Sequence, residues 1–370
     1  MAEFKTARYG VRFTGSVSAG ERLYDAVGLK AEAGIGAAAC ENDFDSILPW
    51  AGMKRCNTEI VDGRRVPIVY EGEAGYSATD ADVFVYVPLF YYHRSADDSE
   101  CAVSMSPLEG YEAPAKFRRA DGTLRDYTFL PAYTAGLENG VPVSRSGYAP
   151  FTTSLNGWME ITRGMGDLCI EGTKDDEIKN VLLDVEFATR DHQTVMMGAV
   201  NLPLFSDPFS SGACDGVTAS SGSPESNTDG LHACKYRGIE NPWGNQFRWR
   251  WDVLVKDLVP HVIDNPKKYA GGKVTDDYKA LAYKMSDEDG WADKLGFDPA
   301  FPYIHLTTEI TDEFEKSAFR CYYWKWERGI YALLVGGNVY DGRNAGSRYF
   351  GVGISPSDAY WYIGAALSPA

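Results

Sequence analysis

The chain has 370 residues, room for two domains or for one large domain with insertions. Its 44% hydrophobic and 24% charged residues are ordinary globular usage and exclude bulk disorder, collagen and coiled coil. With 52 Asp+Glu against 36 Lys+Arg, the net charge is −16, a poor match to phosphate backbones or anionic lipid heads, so nucleic acid is not an expected partner.

In chain order, Met1–Gly10 contains no apolar leader core, so no secretory signal is read there. Tyr9-Gly-Val-Arg-Phe13 alternates, and Val66-Pro-Ile-Val-Tyr70 is a β-branched run; both predict strands. Val83-Phe-Val-Tyr-Val87 is a third, with Pro88 marking its end or an edge. The longest apolar run, Val83 to Tyr92, is about half of what a helical span needs, so no membrane insertion is expected. Leu155 to Arg163 reads as a short helix. Thr173 to Thr189 reads as a longer one, with Thr173 as cap and Asp175, Asp176 and Glu177 in its first turn. Ile178, Val181, Leu182 and Val185 fall at i, i+3, i+4, i+7 and predict one buried stripe. Residues 206–230, rich in Ser and Gly, predict an exposed loop. Two alternating aromatic strands follow. In one, Phe247, Trp249 and Trp251 share a face, with Arg248, Arg250 and Asp252 on the other. In the second, Tyr322, Trp324 and Trp326 alternate with Tyr323 and Lys325. The tryptophans of both are expected to be structural.

Enzyme signatures do not emerge. The sequence has no His-Glu-x-x-His, no Walker loop and no Gly-x-Ser-x-Gly. Gly34–Ala39 fits G-x-G-x-x-A, but Leu29–Ala33 before it is not a buried strand, which argues against a dinucleotide site. The seven cysteines have no C-x-x-C spacing and read as reduced, buried thiols. The five histidines are scattered, and Asp43/Asp45 and Asp175/Asp176 read as turn and cap residues. No catalytic residue, metal ligand or cofactor is therefore assigned.

The tail, residues 336–370, contains no Lys, Glu, Gln or Met, and sets Tyr and Arg among small residues. That composition suits a recognition surface, with large contact area at low entropic cost. The tail resembles the variable region of proteins diversified by diversity-generating retroelements. These end in a C-type-lectin-like fold of the formylglycine-generating-enzyme type. The resemblance rests on Gly336-Gly337-Asn338-Val339, Gly342, Asn344-Ala345-Gly346, Ser357 and Ile363-Gly364-Ala365. Upstream, Tyr236 to Asn245 is similar to the family's Y-R-G-I-E-N-x-W-G-N. Tyr9–Arg12, Asp25–Gly28, Pro49-Trp50, Met53–Asn57 and Val85–Tyr91 are similar to the front end of phage tail proteins that carry this tail. Val339 stands where the family has Trp, and Ala366 where it has Arg. The tail also lacks the cysteine pair that formylglycine-generating enzymes need.

The resemblance implies an α+β protein: a β-rich N-terminal segment over 1–75, for virion attachment or oligomerisation, then a C-type-lectin-like domain over 76–370 with a variable region at 336–365. It implies a ligand- or receptor-binding protein, a phage or prophage tail-tip adhesin located on the virion, and not an enzyme. Its partners would be a host cell-surface protein or glycan, other tail proteins and further copies of itself in a trimer. Template copying with errors at adenines would diversify Tyr340, Asp341, Arg343, Ser347, Arg348, Gly351, Gly353, Ile354, Asp358, Tyr360 and Tyr362, the expected ligand-binding set. Gly336, Gly337, Gly342, Asn344, Ala345, Gly346, Tyr349, Ser357, Trp361, Ile363 and Gly364 would be scaffold. Two other readings stay open: a non-varying tail or baseplate component of the same fold, and a glycan hydrolase.

Overall fold

A computed structural model of the chain describes residues 6–15 and 17–369; part of the stretch read for a leader, and the last residue of the tail, lie outside the described residues. The described chain is mostly β, with two α-helices, α1 (Leu155–Thr162) and α2 (Thr173–Phe187). The α+β expectation is thereby narrowed to a mostly β architecture.

Three sheets carry the fold. The first is antiparallel in the order Glu21–Tyr24, Arg8–Arg12, Glu100–Ser104, Tyr91–Arg94. The second is antiparallel in the order Arg64–Tyr70, Lys54–Val61, Val83–Pro88, Tyr127–Pro131. Pro67 sits on the edge strand and Pro88 ends its own strand, where a missing N–H costs least. Both sheets mix strands from either side of residue 75. That boundary is corrected: the first 75 residues supply strands to shared sheets and do not form a separate segment.

The third and largest sheet runs Lys279–Ala280, Val259–Val262, Phe247–Lys256, Ile330–Gly336, Gly346–Ile354, Tyr322–Lys325, Gly290–Leu295, Thr307–Thr311. Ile363–Gly364 adds alongside Phe247 in parallel. One face packs with α1 and the second sheet in a cluster containing Trp158, Phe84 and Trp249. The other face packs on Leu281, Ile304 and Leu306. Both faces of Phe247–Lys256 are buried, because Arg248, Arg250 and Asp252 meet protein, not water. Arg250 forks onto Asp176 at 2.6 and 2.8 Å, and both arginines reach Glu171.

Helix α2 organises these layers. Every residue except Lys174 is buried, so the predicted single stripe understates it. Its N-cap is Gly172, not Thr173; Asp175 accepts the Gly172 N–H at 2.9 Å, while the Thr173 hydroxyl donates to Asp252 at 2.7 Å. Lys179 pairs with Asp176 on the same helix at 2.9 Å, and the helix's buried carboxylates have partners brought from elsewhere. Lys116 pairs with Asp175 and Arg237 forks onto Glu186 at 2.7 and 2.6 Å. Arg348 forks onto Asp184 at 3.0 and 2.6 Å, and Tyr92 donates to Glu177 at 2.6 Å. An unpaired charge at any of these sites would carry a desolvation cost of several kcal/mol. The helix is therefore a polar hub within an apolar core.

The predicted exposed loop over 206–230 is also corrected. Ser211, Cys214, Val217 and Ser221–Ser223 are buried. Gly222 runs parallel to Gly34, and a Cβ on Gly222 would lie 2.2 Å from the Gly34 carbonyl oxygen. Small residues serve close backbone packing here. The cysteines are free; all but Cys40 are buried.

Candidate functional site

The C-terminal third builds an exposed aromatic surface from two pinned loops. Strand Ile330–Gly336 ends in a turn that needs glycine: Gly337 has φ +86, and a Cβ there would meet Ala345 at 2.7 Å. The Asn338 side chain accepts the Tyr340 N–H at 3.0 Å, and Asp341 accepts the Asn338 N–H at 2.8 Å. Gln193 donates to the Gly342 and Ala345 carbonyls at 3.0 and 2.9 Å. Buried Val339 fills the interior below, where the family frame has Trp, and its carbonyl accepts the Leu202 N–H at 2.8 Å. The second loop, 355–362, is tied down by the Phe247 N–H to the Tyr362 carbonyl and by the Gln246 amide to the Trp361 carbonyl.

The two loops bring rings together. Tyr340 lies 5.9 Å from Trp361 and 6.3 Å from Tyr362, and Tyr360 stacks on Tyr362 at 5.3 Å. Phe205, from the segment that runs beside 339–342, joins at 6.4 Å from Trp361. Phe205 is 74% exposed, Leu204 61% and Tyr360 40%. Such a cluster is the kind of solvated apolar surface that marks an interaction site. Half-buried Asp341 sits at its edge; desolvation pushes its carboxyl up to about 7, against the Asn338 N–H, which favours the charged form. Burial also raises the Tyr362 hydroxyl to about 12.

The predicted binding set divides. Tyr340, Asp341, Tyr360 and Tyr362 converge on this surface, and Asp358 is exposed on the adjoining turn. Arg343 is exposed, but its guanidinium lies 4.4 Å over the Phe314 ring, turned toward another neighbourhood. Ile354 is half-buried against the core. Four positions are corrected. Ser347 and Arg348 are 1% and 2% exposed and bond His192 and Asp184, because the strand Gly346–Ile354 runs through the interior. Gly351 and Gly353 lie under Trp324; a Cβ on either would approach that ring to 2.6 or 2.4 Å.

Trp361, expected as scaffold, is half-buried and packs with the surface rings, whereas Tyr349 is buried against Phe247 at 4.9 Å as a scaffold residue should be. In the second aromatic strand the fully buried ring is Tyr323, and Trp326 is 62% exposed, so its structural assignment is corrected. Leu204 and Phe205 were missed. Their signal was an apolar pair placed directly before a Ser/Gly-rich stretch.

Among the described residues no group of three or more His, Cys, Asp or Glu is placed to hold a metal ion, and no helix is long and apolar enough to cross a membrane.

No family model and no curated protein matches the chain. Over its whole length the chain is similar to solved structures titled Major Tropism Determinant. The U1 and I1 variants are 12% and 13% identical, with 100% of this chain and 82% of each of those covered and a TM-score of 0.33. The P3c variant matches with the same coverage and TM-score at 11% identity.

Proposed function

We propose that this chain is a receptor-binding protein of a phage or prophage tail, with a C-type-lectin-like fold, that attaches the particle to a host cell-surface protein or glycan. The observation that carries this is the cluster of exposed Tyr360, Leu204 and Phe205 with half-buried Tyr340, Trp361 and Tyr362 on hydrogen-bonded loops. Rigid aromatic side chains bury much area on contact and lose little entropy, which is how interface hot spots are built. On these loops Asp358 and Tyr360 are exposed and Tyr340, Asp341 and Tyr362 half-buried; changes there cost less than in the strand beneath, so they are positions where retroelement-driven diversity is compatible with the fold. Function is binding, without covalent chemistry. Several copies on one particle, as a trimer joined to other tail proteins, would add avidity to modest single-site affinity.

The test is direct. Fluorescently labelled protein is applied to a panel of bacterial strains. The wild type labels a subset of them. Phe205→Ser with Tyr340→Ser and Tyr360→Ser abolishes that labelling while the melting temperature stays put. Equal labelling by the triple variant would exclude this surface as the receptor site.

A further inference from the structure

A groove of about 510 Å³ takes its walls from the first and third sheets and shares no residue with the aromatic loops. One wall is the turn 95–99, which joins strands Tyr91–Arg94 and Glu100–Ser104. The other is the end of strand Gly290–Leu295, with Phe297 just beyond it. Buried Phe13 and Phe319 also line it and hold the Arg190 guanidinium between them, at 4.1 and 4.5 Å. The volume is inside the range of about 300–1,000 Å³ usual for small-ligand sites, and the lining is the usual mixture of aromatic rings and a few polar groups.

Two of its groups are fixed in place and still open. Phe297 stacks on His305 at 6.0 Å, and the neighbouring Gly296 N–H is anchored on the Leu306 carbonyl at 2.8 Å, yet the Phe297 side is 47% exposed. Asp97 takes three donors on one oxygen: the Ser95 and Ser99 hydroxyls, each at 2.7 Å, and the Ser99 N–H at 3.1 Å all reach Oδ1. These bonds hold its carboxyl down at about 2. Oδ2 has no hydrogen-bond partner among the described residues and keeps its full capacity to accept.

The remaining charges are engaged. Asp98 is shared by Arg94 at 3.4 Å and Arg190 at 3.2 Å, Lys294 pairs with Glu309 at 2.8 Å, and Asp293 has its own interaction within the protein. His305 bonds the Pro302 carbonyl at 2.8 Å; burial, with Arg94 beside it, lowers its pKa to about 3 and keeps the ring neutral. Positive and negative groups thus come close to balance, so the groove has no field to gather either an anion or a strong cation. It fits a neutral ligand with an apolar face and hydroxyls. A pyranose ring is such a ligand: its C–H face meets the negative face of an aromatic ring, and its hydroxyls donate to a carboxylate.

We propose that this groove is a second binding site, for a sugar ring of a neutral glycan, with Phe297 as the stacking platform and Asp97 as the hydroxyl acceptor. It does not rest on the aromatic loops, and two sites on one chain would add avidity.

The test is saturation-transfer NMR titration of the whole chain with the methyl glycosides of glucose, galactose, mannose and N-acetylglucosamine, with tetramethylammonium and acetate as cationic and anionic controls. At least one glycoside takes up saturation through its ring C–H protons, and neither ion does. Phe297→Ala weakens that glycoside about tenfold, the loss of one aromatic contact. Asp97→Asn keeps an acceptor at Oδ1, loses the charge and weakens it about threefold. The Phe205→Ser, Tyr340→Ser, Tyr360→Ser variant binds it as wild type does, since none of the three lines the groove. Absence of binding by all four glycosides, or binding unaltered by Phe297→Ala, overturns the proposal. Tetramethylammonium binding in place of the glycosides overturns the neutral sugar as the ligand. Loss of glycoside binding in the triple variant would put the sugar on the aromatic loops and overturn the groove as its site.

Discussion

Arg348→Ala separates a buried strut from a contact residue. Arg348 is 2% exposed, and its two nitrogens hold both Asp184 oxygens at 3.0 and 2.6 Å. Asp184 is 1% exposed on α2, and its only other side-chain partner among the described residues is His192, at 3.1 Å. Truncation strands a buried carboxylate, a loss of about 3–5 kcal/mol. With an unfolding entropy of roughly 2 cal/mol/K per residue, a chain of this length should drop by about 4–6 °C if it melts in one step. Arg348 is also the main cause holding the Asp184 carboxyl well below its usual range, with His192 assisting, against desolvation. A depressed folded pKa stabilises above the unfolded value of about 3.9 and loses that contribution as pH falls toward the folded value. Without Arg348 that depression is relieved. The gap between wild type and variant is therefore widest near neutral pH and shrinks below about pH 4. Scanning calorimetry at several pH values measures it. Arg348→Lys should fall in between, since one ammonium cannot reproduce the fork. A melting temperature unchanged by Arg348→Ala, or a gap independent of pH, would refute the strut assignment.

Other outcomes follow from the same structure. Tyr360→Ala with Phe205→Ala, at solvated positions, should change stability by less than about 1 kcal/mol while cell labelling falls; a melting drop like that of Arg348→Ala would place these rings in the core. Gly351→Val puts side-chain atoms where the Trp324 ring lies, with a Cβ 2.6 Å from it. It should cost about 1–3 kcal/mol and red-shift tryptophan emission as the ring moves into water, and an unchanged spectrum would count against that packing. Asp341, with its carboxyl raised to about 7 by desolvation, binds its proton more tightly folded than unfolded. Stability it contributes in acid is lost as pH rises from about 4 to 7, so Asp341→Asn should flatten that decline; parallel wild-type and variant curves would contradict it.

Strands were legible where local pattern decides them: Arg8–Arg12, Arg64–Tyr70 and Val83–Pro88 each carry alternation or a β-branched run. The position of α2 was legible from its carboxylate-rich start. Its complete burial was not, because the partners of its charges lie far along the chain: Arg250 is 74 residues from Asp176, and Arg348 is 164 from Asp184. Composition alone reads seven charged residues on one helix as a solvated face. The 206–230 segment misled for a related reason. Ser and Gly signal a loop, yet at Gly222 the missing Cβ permits backbone contact with Gly34. In the tail, Tyr and Arg on a small-residue background marked the right region. That signal did not distinguish Tyr360, on a solvated loop, from Arg348, on a strand inside the sheet, since that distinction depends on which strands flank Gly346–Ile354.

The central claim is that the exposed aromatic loops, and not the strand beneath them, meet the receptor. Deep sequencing of the last hundred or so codons in a natural population, with the flanking DNA, tests it most directly. The account predicts variation concentrated at Tyr340, Asp341, Asp358, Tyr360 and Tyr362, with Arg348, Gly351 and Gly353 constant and a near-copy template with a reverse-transcriptase gene close by. An invariant 3′ end, or variation falling as often on Arg348 as on Tyr360, would contradict it.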